Sequence, residues 1–354
     1  MKQNKVLVGL SGGVDSAVSC ALLKKKGYAV SAAFLCFWDG EGRTKKALVD
    51  AKKVCAVLDI PLEIIDLSSI FKKTVIKYFI DEYAKGKTPN PCVFCNEKMK
   101  FKLLLSTAEK KGIKMVATGH YAKIKKSKIG DAVVCKLFPA VDQKKDQSYF
   151  LYRLGQEVLS RTVFPLGGYK KEEVRELAKK FGLPVFDKGD SQDVCFMANG
   201  NLEEFLRKKI NLKKGKIINT EGHVLGEHKG LPLYTIGQRK GINVGGTGPY
   251  FVISKDIKKN ILTVTNDLDH PAITQKTIKL GKVAWTSDVV QDFPLPVIVR
   301  TRYHNPLVCA IIEKNQKAKK YQLIFDVSQK AVSPGQSVVF YSKDGEVLGG
   351  GIIR

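Results

Sequence analysis

The 354 residues are enough for two or three domains with substantial cores, and a hydrophobic content of 44% is ordinary for a water-soluble chain. No apolar run approaches a membrane span and the N-terminus enters a strand without a secretory signal, so a cytoplasmic protein with no membrane partner is expected. The formal net charge of +26 runs along the whole length, which excludes a basic arm on a neutral body; general lysine richness explains part of it, and a polyanionic partner, nucleic acid first, explains the rest.

The first predicted element is the apolar run Val6, Leu7, Val8 and Leu10, a short buried parallel strand. It passes at once into SGGVDS, residues 11–16, and helical spacing resumes over residues 17–25. Strand, glycine turn and helix start bring bare amides and the positive helix end together, which suits an oligophosphate. Gly12 and Gly13 let the backbone approach the anion, and Asp15 is placed to hold Mg²⁺ against phosphate oxygens. No Lys-Ser or Lys-Thr follows the glycines, so this is not the Walker pattern. The string resembles the PP-loop of the ATP pyrophosphatases, which cleave ATP between its α and β phosphates to adenylate a substrate.

Next come a strand over residues 28–37 ending in Trp38, Asp39 and Gly40, a helix over about 45–58, a strand over 62–67 and a helix over 72–83. Strands alternating with helices at this spacing predict a doubly wound parallel α/β sheet with ligands at the carboxyl ends of its strands. GKTPNPCVFCN, residues 86–96, is rich in breakers and predicts an exposed loop before a helix over 97–111. A strand over 114–118 ends in Gly119, His120 and Tyr121, and strand-like 132–137 leads to KKDQSYFLY at 144–152. That stretch reads equally as a polar turn capping a helix with core aromatics or as a nucleic-acid contact through Lys145, Asp146 and Gln147. A helix follows over 170–181, then SQDVCF at 191–196 and a last helix over 202–209.

From residue 216 onward glycines punctuate short β-branched runs: 251–254 with 261–265, 297–302, 310–313, 321–325 and 338–340. These predict small β-barrels. The expected division is an adenylation domain over 1–208, a central β-rich domain over 209–274 and a C-terminal β-barrel over 275–354. Of eight cysteines, Cys20, Cys36, Cys55, Cys135 and Cys309 sit in apolar stretches and read as small core residues, whereas Cys92, Cys95 and Cys195 lie beside turn signals.

SGGVDS, TPNPCVFCN, ATGHY, KDQSYFLY, SQDVCF, TIGQRKG and SPGQSVVFY occur in this order, and together they resemble the bacterial tRNA-specific 2-thiouridylases from end to end. The resemblance implies ATP-dependent replacement of the C2 oxygen of the wobble uridine by sulfur in the tRNAs for Lys, Glu and Gln. AMP transferred onto that oxygen turns a poor leaving group into a good one, and enzyme-bound sulfur attacks C2. It further implies that Gly9, Leu10, Ser11, Gly12, Gly13, Val14, Asp15 and Ser16 hold ATP, with Leu35 and Gly119 bordering it. It places Asn90, Pro91, Cys92, His120, Lys145, Asp146, Gln147, Arg302, Tyr303 and Gln336 against tRNA. The sulfur donor is expected to be a cysteine desulfurase or a sulfur-relay protein.

By the same resemblance Cys95 takes the nucleophile position and Cys195 the persulfide position. The chain departs from the pattern at Cys92, where many members carry an Asp with an acid/base role. Two readings stay open: a Cys95/Cys195 persulfide pair with Cys92 a bystander, or Cys92, Cys95 and Cys195 as three ligands of a [4Fe–4S] cluster. Alternatives from other classes are a PP-loop ligase acting on a small molecule and a tRNA-binding protein without catalysis. The charge, the cysteines and the β-rich last third oppose the first, and the intact SGGVDS opposes the second.

Overall fold

The computed structural model describes residues 4–38, 42–190, 194–197, 201–242, 244–245, 249–267, 269–288, 291–315 and 320–354, without the Ile129 side chain. Asp39 and Gly40, and Ser191, Gln192 and Asp193 of SQDVCF, lie outside the described residues.

The chain opens with β1 (Lys5–Gly9), α1 (Val14–Lys25), β2 (Ala29–Cys36), α2 (Arg43–Leu58) and β3 (Leu62–Asp66). Helix α3 (Ser68–Phe71) runs through a π-helical turn (Lys72–Ile76) into α4 (Lys77–Ala84). Helix α5 (Pro91–Cys95) passes through a second π-helical turn (Asn96–Lys100) into α6 (Phe101–Lys110), followed by β4 (Met115–Thr118). A hairpin of β5 (Ala122–Ile129) and β6 (Ala132–Pro139), then α7 (Gln156–Leu159), β7 (Thr162–Val163), α8 (Lys171–Lys180) and α9 (Leu202–Arg207) complete this half.

The first sheet is parallel in the order β3-β2-β1-β4-β7. Val6 and Val8 of β1 pack towards α1, α2 and α8, while Leu7 packs towards α6, as the strand's alternation requires when both faces are covered. Strand order reverses between β1 and β4, so the turns after these two strands open side by side, where doubly wound sheets bind ligands.

The central unit is a sheet of β8 (Gly215–Ile218), β9 (Val224–His228), β10 (Phe251–Asp256) and β11 (Ile261–Thr265) in the order β10-β11-β8-β9. Ile217, Tyr234, Val252, Leu262 and Val264 form its core. The last unit comprises β12 (Thr274–Trp285), β13 (Leu295–Arg300), β14 (Val308–Asn315), β15 (Lys320–Lys330), β16 (Ser337–Tyr341) and β17 (Val347–Ile353). These follow the order β12-β15-β14-β13-β16-β17, and the β12–β17 pairing closes the barrel.

The β5–β6 hairpin pairs onto β17 through Leu137 and Val347, so the first domain adds two strands to the barrel's sheet. At this junction the Tyr149 hydroxyl donates to the Ser337 carbonyl at 2.7 Å, and the Tyr152 hydroxyl lies 3.2 Å from Ser337 Oγ. The aromatics of KDQSYFLY therefore bind the first domain to the barrel, around a short 3₁₀ turn (Ser148–Phe150).

Three local expectations need correction. The stretch over 86–96 is not loop throughout. Asn90 caps α5 by accepting the Val93 N–H at 3.3 Å, and Pro91 stands at the first helical position, where its missing N–H costs nothing. Pro91 and Cys95 are buried, so the stretch is only partly exposed. Strand β5, AKIKKSKI, was hidden by its lysines, which suit the exposed edge of a sheet. Cys309 is exposed and Cys36 only partly buried, whereas Cys20, Cys55 and Cys135 are core residues as expected.

Candidate active site

The turn after β1 is built to leave backbone open. Gly13 occupies the N-cap of α1 with no side-chain cap, so the first amides of the helix face the turn uncapped. The Ser11 N–H donates to Ser16 Oγ at 3.1 Å, and Ser16 Oγ donates to the Gly13 carbonyl at 3.1 Å. Gly12 has φ 71° and lies against the Ala47 carbonyl oxygen, 2.2 Å from where a Cβ would stand, so no other residue fits there. Lys188 clamps the turn itself, donating to the Gly12 carbonyl oxygen at 2.8 Å and to Asp50. Gly119, at the end of β4, approaches so closely that a Cβ would fall 2.8 Å from the Asp15 carbonyl carbon and the Ser16 nitrogen. Leu35 is partly buried on the neighbouring strand β2.

Asp15 is already partnered. Its Oδ1 accepts the Tyr121 hydroxyl at 2.7 Å and the Lys171 ammonium at 2.6 Å. Lys171, with a side chain only 7% exposed, also reaches Asp190 at 3.0 Å, and Asp190 takes Lys145 and Arg175 at 2.7 Å each. Burial alone would raise the Asp190 carboxyl, but hydrogen bonds and charge from Lys145 and Lys171 hold it down at about 2. Sequence reasoning missed Lys171 and Asp190. A signal for Lys171 existed: it stands three positions before Val174, on the face of α8 that Val174 and Ala178 bury.

Cys92 and Cys95 project from α5, Cys92 exposed and Cys95 buried. The Asn96 side chain is buried; its Nδ2 donates to the Phe150 carbonyl at 3.1 Å, while Oδ1 has no hydrogen-bond partner. Cys195 is exposed, and its neighbour Phe196 anchors the segment among Phe71, Phe79 and Phe205. Despite the exposure of Cys92 and Cys195, crowding by protein atoms pushes Cys92 up to about 11 and Cys195 to about 12, with the charges of Cys92 and Cys95 adding to the rise at Cys195. Cys95 is raised by burial, and the Lys100 charge opposes the rise at all three. The three thiols thus share one electrostatic neighbourhood. As placed they do not converge: no group of three or more His, Cys, Asp or Glu residues is set to hold a metal ion among the described residues.

His120 follows Gly119 and lies between Phe101, 5.8 Å away and stacked, and Phe164, 6.0 Å away and edge-on. Its Nδ1 is 2.7 Å from Thr118 Oγ1. Burial, helped by the Lys100 charge, drives its pKa well below the ordinary 6.5, so the ring is neutral at physiological pH. Lys100 is therefore near both His120 and the thiols, and Gly119 touches the phosphate turn.

The residues expected against tRNA divide into two sets. Lys145 and Arg302 are partly exposed cations, the latter 3.3 Å from Ser333 Oγ. Asp146 does not present its carboxylate outward: it is 1% exposed and accepts the N–H groups of Ala140 and Ser148 at 3.1 Å each. Gln147 Oε1 accepts the Tyr121 N–H at 3.0 Å, and Gln336 Nε2 donates to the Thr88 carbonyl at 2.8 Å. The Tyr303 ring packs against Tyr149 and Phe150. Of these four only Asp146 is buried; Gln147, Tyr303 and Gln336 are partly exposed, as Lys145 and Arg302 are.

The raised thiols give a direct test. Alkylation of Cys92 and Cys195 by iodoacetamide in the ligand-free protein should climb steadily with pH through about pH 9, because only the thiolate reacts. Site-resolved mass spectrometry would measure it, and a plateau near neutral pH at either cysteine would contradict the placement.

Known proteins match this chain over nearly its whole length. Residues 4–199 match the family described as tRNA methyl transferase HUP domain, residues 203–266 the tRNA methyl transferase PRC-barrel domain, and residues 275–353 the aminomethyltransferase beta-barrel domain. The chain is 42% identical to the tRNA-specific 2-thiouridylase MnmA of Thiobacillus denitrificans, covering 99% of each protein. It is 38% identical to that of Francisella philomiragia over 100% of each, and 39% identical to that of Legionella pneumophila over 99% of this chain and 98% of the relative. The chain belongs to the tRNA-specific 2-thiouridylase family.

Proposed function

We propose that the chain thiolates C2 of the wobble uridine in the tRNAs for Lys, Glu and Gln by two successive displacements at one site. In the first, the uridine O2 attacks the α-phosphorus of ATP and pyrophosphate leaves. In the second, sulfur bonds to C2 and the C2–O bond breaks, so AMP leaves with the former uridine oxygen. The observation that supports this reading is the uncapped phosphate turn with Gly119 packed against it, followed directly by His120, which shares the influence of the Lys100 charge with the three thiols. Residues 9–16 would receive the triphosphate, with Leu35 and Gly119 beside the nucleotide. Asp15 would hold Mg²⁺; its carboxylate is 35% exposed, and both of its protein contacts fall on one oxygen. Neutral His120, Asn90, Pro91 and Cys92 would meet the base, extruded from the anticodon loop at small cost. Lys145 and Arg302 would meet phosphates, with the partly exposed Gln147, Tyr303 and Gln336 beside them, while buried Asp146 would hold the turn that presents Lys145 and Gln147.

The three thiols supply the sulfur chemistry. In a persulfide route the outer sulfur on Cys195 would bond to C2, and Cys95 would then attack Cys195 Sγ, breaking the S–S bond and leaving a Cys95–Cys195 disulfide for an external thiol to reduce, which uses two of them. Cys92, in place of a carboxylate, favours the other reading, in which Cys92, Cys95 and Cys195 would hold a [4Fe–4S] cluster. Their donor chemistry fits, all three being free thiols in one electrostatic neighbourhood, although as placed they do not form a group set to hold a metal ion among the described residues. Such a cluster would supply an iron with a position open to sulfide. Sulfur would come from a cysteine desulfurase or relay protein, in the cytoplasm. No helix among the described residues is long and apolar enough to cross a membrane.

Asp15→Asn should abolish tRNA-dependent pyrophosphate release while leaving the protein folded. It preserves shape, whereas Ala would also leave a gap beside the Lys171 ammonium. Release at the wild-type rate would contradict the nucleotide site. Anaerobically purified Cys92→Ala should lose both bound iron and thiolation, read by iron and sulfide analysis and nucleoside mass spectrometry. Full thiolation in air without iron would instead establish the persulfide route.

A further inference from the structure

Three parts of the chain meet at Thr88, a residue outside every motif role assigned above. Its N–H donates to the Pro334 carbonyl at 3.0 Å, and its carbonyl accepts Gln336 Nε2 at 2.8 Å, both from the barrel domain. Its Oγ1 lies 3.0 Å from Thr235 Oγ1 of the central domain. The close approach is built in: Gly335 has φ 92°, and a Cβ there would stand 2.9 Å from the Thr88 nitrogen and from Lys87 Cβ. The two partner loops are also joined to each other, since Ser333 Oγ donates to the Ile236 carbonyl at 3.0 Å and accepts Arg302 at 3.3 Å.

The path from Thr88 to the cysteines is stiff. Thr88-Pro89-Asn90-Pro91 leads directly into α5, both prolines are buried, and each fixes its own φ and restricts the residue before it. Asn90 then caps the helix that carries Cys92 and Cys95. A displacement at Thr88 has little slack in which to dissipate before it reaches the thiols.

We propose that Thr88 is a positioning residue for sulfur transfer, holding the Cys92–Cys95 helix in register with the two C-terminal domains. The proposal rests on the two-step reading above. It weights the steps: the phosphate turn hangs from β1 and α1, which do not pass through Thr88, so sulfur transfer should depend on this contact more than adenylation does.

The test follows single-turnover pyrophosphate release and 2-thiouridine formation in the full-length protein. Thr88→Val keeps the β-branched shape and removes the hydroxyl. Its pyrophosphate release and tRNA KM should stay within about twofold of wild type, while the thiolation rate falls about fivefold, the effect of one lost hydrogen bond. Thr88→Ser should restore the rate. Thr235→Val removes the same bond from the other side and should reproduce the loss, and the double variant should be no slower than either single one. Unchanged thiolation in Thr88→Val, an equal fall in both steps, additive losses, or no rescue by Ser would each overturn the proposal. Absence of pyrophosphate release in the wild type would instead overturn the two-step reading.

Discussion

The ion pair between Asp15 and Lys171 fixes the geometry on which the rest of the site depends. It joins the first turn of α1 to the first turn of α8 beside the phosphate turn, with the Tyr121 hydroxyl on the same carboxylate oxygen. Lys171 is too buried to lose its partners cheaply, and Asp190 supplies a second one while gathering Lys145 and Arg175. The reversal of strand order between β1 and β4 brings the Gly119 turn into the same place, where only a residue without a Cβ fits. A carboxylate suited to a cation, uncapped amides suited to phosphate and a neutral imidazole therefore lie at one edge of the sheet.

The thiols are poised differently from the phosphate turn. Crowding by protein atoms raises the thiols of exposed Cys92 and Cys195, and burial raises that of Cys95, which favours the less nucleophilic thiol form. Two π-helical turns pack beneath them, with Thr74 Oγ1 donating to Met99 Sδ at 2.9 Å. Such turns interrupt regular helix and recur at functional sites. The cysteines thus sit on a scaffold of irregular backbone joined to the other domains through Thr88.

Local signals were legible in the chain where chemistry and period coincide. The apolar run before SGGVDS, the alternation of strands and helices, and the hairpin of β10 and β11 follow from spacing alone. Helix α5 was obscured because Asn and Pro break structure in most contexts yet start helices in this order. The Asp15–Lys171 pair joins residues 156 positions apart, and the Thr88–Thr235 contact joins residues 147 apart, so no local pattern could announce either. At Asp146 the motif left a capping role and a nucleic-acid contact open, and its carboxylate accepts the buried amides of Ala140 and Ser148.

The central claim is that AMP is carried on the very oxygen that sulfur replaces. A tRNA bearing oxygen-18 at C2 of its wobble uridine, turned over with unlabelled ATP, tests this by mass spectrometry of the AMP. The account predicts one oxygen-18 atom in AMP for each 2-thiouridine formed, and none in pyrophosphate. Unlabelled AMP alongside fully thiolated tRNA would contradict it.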